Sequence, residues 1–192
     1  PYYEKVLNEG FESIYAELEE IYQAMSKREQ QSQAGAQLRA MMIASTMPRD
    51  LAIKYREKCL ELIDLTDDSE RKSELQTMAD NLAVVPWKKA ENFHQALQSL
   101  WLTHMLVMSD ENYPGPGVSF GRIDQYLYPF YVKSKEAGMS DAFMKDVLGC
   151  FWIHCNTAYD AQIRVGNNGI TAGFGQLFNL SGRDHEGHDQ TN

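Results

Sequence analysis

Ser119, Arg122 and Asp124 lie close together in the stretch YPGPGVSFGRIDQYLYPFY, residues 113–131. They bring a hydroxyl, a guanidinium and a carboxylate to one turning segment. An Arg and an Asp two residues apart can share a charge-assisted hydrogen bond that fixes a strand-to-helix corner. A serine at the end of a rigid strand can instead hydrogen-bond a ligand in a cavity. Both readings stand on the residues alone. A second candidate cluster is the run QLFNL, residues 176–180, read as a strand. Alternation puts Gln176 and Phe178 on one face, Leu177 and Asn179 on the other, and either can face inward. A buried amide needs a partner, and a ligand or a backbone group serves equally.

The other reactive residue types carry less. His94, His104 and His154 fall on predicted helices among apolar residues, which suits core or boundary histidines. His185 and His188 are three apart, with Gly187 between them. The helical zinc spacing is four, so a solvated loop is expected and no metal site. Cys59, Cys150 and Cys155 form neither a disulfide framework nor a two-residue-gapped pair and are read as buried core thiols. The glycines at 166, 169, 173 and 175 lack the phosphate-loop pattern. Tyr126, Tyr128 and Tyr131 read as core or interface. No residue of the chain is assigned a catalytic role.

The elements that must position these residues are mostly helical. Phe11, Ile14, Tyr15, Leu18, Ile21 and Tyr22 form one apolar stripe and predict a helix over 11–24. A second helix is expected over 29–46, with Pro48 breaking or restarting it, and a third to about 64. Asp67, Asp68 and Ser69 supply N-cap chemistry for a fourth, which Val85-Pro86 ends. A largely buried fifth covers about 90–108. Gly115, Pro116 and Gly117 force a turn, residues 118–120 read as a short strand, and Ile123, Tyr126, Leu127, Phe130 and Tyr131 recur at helical spacing. Ser140 caps a long helix to about 162. The fold class expected is therefore mostly α with a few short strands.

At 192 residues, 43% hydrophobic and 11% aromatic, the chain can build a substantial core. A net charge of −9 without a basic stripe argues against nucleic acid. There is no membrane-length apolar run and no secretory pattern, so a soluble, cytoplasmic protein is expected. It begins at Pro1 and ends in an apparent loop, and so reads as an excised piece.

Four ordered segments carry a resemblance. Residues 118–129, VSFGRIDQYLYP, look like the SFGR-x-DQY-x-x-P signature of glycyl radical enzymes of the pyruvate formate-lyase type. Residues 1–10, PYYEKVLNEG, resemble that family's PDY-x-KVL-x-x-G segment. Val85-Pro86 with residues 92–98, NFHQALQ, resembles its VP and F-x-EALQ helix, and Ser181-Gly182-Arg183-Asp184 with Gly187 to Asn192 resembles its GG-x-D-x-x-G-x-D-x-TN loop.

The resemblance implies a fragment of the family's ten-stranded α/β barrel, with 1–110 helical and 111–192 supplying first barrel strands and helices. Ser119 would then lie near a buried substrate, with Gln176 and Phe178 as further substrate-binding candidates and Arg122 and Asp124 as structural neighbours. It also implies a glycyl radical in a longer parent enzyme, installed by a radical-SAM iron–sulfur activating enzyme, and a homodimeric parent. The chemistry would be anaerobic decarboxylation or C–O, C–N or C–S cleavage of a small organic substrate, with a slight lean to decarboxylation from residues 113–118. Neither the family's radical cysteine segment nor its RV-x-GY loop occurs here, so the piece alone is expected to be inactive, binding no metal. The competing reading is a non-catalytic helical module that binds a protein partner.

Overall fold

The structure, a computed structural model, describes residues 2–110, 118–165, 178–183 and 186–189, and the backbone alone for 156–165. Among these are seven helices: α1 (Tyr3–Ala24), α2 (Lys27–Gln30), α3 (Gln33–Leu65), α4 (Ser69–Leu82), α5 (Phe93–Asp110), α6 (Ile123–Glu136) and α7 (Asp141–Val165). The chain divides into two compact units, Tyr2–Ala90 with Gln98–Leu102, and Glu91–Leu97 with Thr103–Asn192.

In the first unit α3 packs against α1, α2 and α4. Leu7, Leu18, Ala52, Cys59, Leu75, Ala79 and Leu82 are buried there. α1 starts earlier than its apolar stripe predicts and is kinked at Gly10, where φ is +78°. A side chain at Gly10 would collide with the Trp87 carbonyl, so this position requires glycine on both counts. Past the kink, the amides of Phe11 and Glu12 donate to the carbonyls of Pro86 and Trp87 at 3.0 and 2.7 Å. The Trp87 indole donates to Glu12 at 3.2 Å, and the Arg49 guanidinium lies 5.0 Å from its ring centre.

Two helix ends follow local chemistry. Asp68 accepts from the amides of Glu70 and Arg71, satisfying donors that the first turn of α4 leaves open. Ser26 and Glu29 form a reciprocal capping box at α2. Pro48, in contrast, does not end a helix. α3 runs through it for 33 residues, with Pro48 buried.

In the second unit α6 and α7 carry the core. Ile123, Leu127, Phe130, Met144, Phe151 and Cys155 are buried, and the buried Ser134 hydroxyl accepts from the Phe93 amide at 2.8 Å. Ser140 caps α7 through the Phe143 amide at 3.2 Å.

The expectation of a few short strands, as part of an α/β barrel, is corrected: the described residues are helical and contain no strand. Residues 118–120 and 178–180 carry no regular secondary structure, and 176–177 lie outside the described residues. The sole β feature among them is an isolated antiparallel bridge between Arg183 and Asp189. The physical reason is the fate of the backbone groups. The Phe120 carbonyl accepts from the Tyr126 hydroxyl, the Gly121 amide donates to Ser119, and the Ser181 amide donates to Asp124. With these groups committed to side chains, the backbone bond that joins the two segments among the described residues is Asn179 N–H to the Gly121 carbonyl at 3.1 Å.

Candidate functional site

Two segments distant in sequence, 118–124 and 178–183, meet in the second unit. Phe120, fully buried, forms their hinge. Its ring stacks on Phe178 at 5.3 Å with planes 17° apart, lies 3.9 Å from the His104 ring and 5.2 Å from Phe151. Trp152 meets Phe178 edge-on at 4.2 Å. The rings come from α5, α7 and both segments, and offset or edge contacts of this kind add to simple area burial.

Polar contacts join the same segments. The Asp124 carboxylate accepts from the Ser181 amide at 2.6 Å and from the Gln125 amide group at 2.9 Å. The Arg122 guanidinium donates to the carbonyls of Ser181 and Arg183 at 3.3 and 3.2 Å. Arg122 and Asp124 therefore do not bond each other among the described residues. Each reaches across to the backbone around Ser181. That residue has φ +57°, and Gly182, which follows, has φ +105°. Asp124 Oδ1 is buried with no hydrogen-bond partner among the described residues.

The structure thus brings together Ser119, Arg122, Asp124 and Phe178. Gln176 lies outside the described residues. The Ser119 hydroxyl accepts from the Gly121 amide at 3.0 Å, forming a local turn. Sequence reading did not find the aromatic group around Phe120. Phe151, Trp152 and His104 were read as helical positions and Phe120 and Phe178 as strand residues, because local periodicity cannot show that α5, α7 and two separate segments converge.

The thiols divide. Cys59 and Cys155 are buried, and burial raises both, Cys155 to about 12. Cys150 is exposed, which corrects its reading as a core thiol: it sits on the outward face of α7. His94 is held below its usual range by burial, and its Nδ1 has no partner among the described residues. Its ring meets Phe143 edge-on at 5.7 Å. His188 lies 3.6 Å from Glu186 on an exposed loop, and His185 lies outside the described residues. No group of three or more potential metal ligands occurs among the described residues. The arrangement can shape and orient. Among the described residues it offers no acid–base pair poised for proton transfer.

Among the described residues, a helical frame holds two loop segments around an aromatic group. The pyruvate formate lyase-like family model matches residues 1–192, and the chain belongs to that family. It is 30% identical over 195 residues to the isethionate sulfite-lyase of Desulfovibrio desulfuricans, with 99% of this chain and 23% of the relative covered. The fold aligns at TM-score 0.84 and 25% identity with a Roseburia inulinivorans structure solved for 1,2-propanediol dehydration, over 100% of this chain and 24% of that one. A glycyl radical enzyme of Archaeoglobus fulgidus aligns at TM-score 0.83 and 29% identity, over 99% and 25%. The chain spans about a quarter of the length of the proteins it matches.

Proposed function

We propose that this chain is part of a glycyl radical lyase that acts on a small organic substrate, by C–S, C–O or C–N cleavage or by decarboxylation. The observation that carries the reading is the family match over the whole chain, joined to relatives that are glycyl radical and sulfite-lyase enzymes. It weighs against the partner-binding helical module. The residues here supply a wall for the substrate: Ser119 to hydrogen-bond it, Phe178 to pack on it, and Gln176, in the same stretch as Phe178, as a third contact. The radical belongs to the longer enzyme and supplies hydrogen-atom abstraction there. Its installation falls to a radical-SAM iron–sulfur activating enzyme, the parent is a cytoplasmic homodimer, and the 192 residues alone are inactive. A carbon radical needs a site closed to solvent, which suits a wall built of packed rings.

The test is anaerobic activation of the full-length enzyme, followed by electron paramagnetic resonance and assays. The expected results are a glycyl radical signal and turnover of one substrate among isethionate, 1,2-propanediol, choline and hydroxyphenylacetate. Isethionate comes first because that relative spans nearly the whole chain. No radical signal after activation refutes the reading. In the active enzyme, Ser119→Ala is expected to raise KM about tenfold, the worth of one hydrogen bond to substrate, with kcat little changed.

A further inference from the structure

Ser181 is held from both sides. Its amide donates to Asp124 at 2.6 Å and its carbonyl accepts from Arg122 at 3.3 Å, while its own backbone sits at φ +57°. A residue with a Cβ is strained in that region and stays there only when its surroundings over-determine it. The surroundings here are two charged side chains from one short segment, one for each polar group of the same residue. We propose that Arg122 and Asp124 are positioning residues, a two-pronged clamp that holds Ser181 left-handed and so fixes Phe178 against Phe120.

Three further observations carry this. Arg122 also donates to the Arg183 carbonyl, so the clamp spans the turn rather than one atom. Gly182 has φ +105°, and a Cβ there would lie 4.0 Å from Arg122 Nη2, which puts the guanidinium directly beside the turn. Phe178 stacks on Phe120 just upstream, and the Asn179 amide donates to the Gly121 carbonyl, so the clamp, the backbone bond and the ring stack act on one register. Loosening the turn frees the register and moves the ring. The functional part rests on the reading that Phe178 faces substrate; the clamp itself does not.

The experiment uses the full-length enzyme in two arms. In the first, hydrogen–deuterium exchange is followed over residues 178–183 in the unactivated protein, which needs no substrate and no radical. Arg122→Lys and Asp124→Asn, mild enough to fold, and Arg122→Ala and Asp124→Ala are compared with wild type. Exchange at the Ser181 amide is expected to rise about tenfold in Asp124→Ala, the loss of one charge-assisted bond, and less in Asp124→Asn. Unchanged exchange in both alanine variants overturns the clamp. In the second arm, Ser181→Gly is added to Asp124→Ala. Glycine takes the left-handed angle without help, so kcat/KM is expected to recover by several-fold. Absence of recovery, with altered exchange, overturns positioning as the role and makes Asp124 a direct substrate contact. If no substrate is turned over, the proposed function has failed while the first arm still decides the clamp.

Discussion

At Cys155, burial holds the thiol protonated up to about pH 12 in the folded chain, against an ordinary 9.0. Below pH 9 both folded and unfolded chains keep the proton, and the thiol adds no pH dependence. Between 9 and 12 the unfolded chain loses it first, so stability falls as pH rises. Thermal melts between pH 8 and 11 are expected to show that loss, and Cys155→Ala to flatten it. His94 runs the opposite way. Burial favours its neutral form, so protonation of the unfolded chain below about pH 6.5 draws stability down as pH falls. Since His94 Nδ1 is buried without a partner among the described residues, His94→Leu is expected to reduce that acid-side loss at little cost at pH 7. Exposure separates the thiols too: iodoacetamide on the native protein at pH 8 is expected to label Cys150 well ahead of Cys59 and Cys155.

Among the elements, α4 and α3 show which local signals survive folding. Asp68 is legible in the sequence as a cap, and the structure gives it two amide donors. Asp68→Ala is expected to cost about 1 kcal/mol, read as a lower urea midpoint. Pro48 is equally legible but misleading. Alone it favours a break, since it lacks a donor and its ring crowds the carbonyl one turn back. α3 nevertheless continues, because it packs on α1 and α4 and buries Ala52 and Cys59 beyond the proline. Tertiary packing outweighs a local penalty of roughly 3 kcal/mol. The short segments 118–120 and 178–180 fail in the other direction. Their composition suits strands, but strand formation depends on partners that composition cannot name. In the candidate site, Ser119, Arg122 and Asp124 were singled out as candidates from residue type and spacing. Their contacts were not, because the clamp joins residues about 60 apart and no local pattern encodes that distance.

For the whole molecule, the family was readable from four ordered motifs, and the match over residues 1–192 agrees. The expected strand content was not realised among the described residues. Among those residues no helix is long and apolar enough to cross a membrane. The −9 charge has its own use at this scale: an acidic chain resists non-specific capture by nucleic acid, so elution from a nucleic-acid column is expected at low salt.

The kink at Gly10 carries a consequence for the order in which the chain is made. The amides of Phe11 and Glu12 open the main run of α1, and their acceptors are the carbonyls of Pro86 and Trp87. A helix ordinarily finds its first partners nearby, yet this one borrows them from about 75 residues later. While the chain emerges from the ribosome, α1 can coil as soon as it is made, but the amides of the turn after Gly10 stay open to water until Trp87 arrives. The bundle of α1, α3 and α4 is therefore closed by its last segment, and a nascent chain stalled before residue 86 is expected to remain protease-sensitive near residue 10.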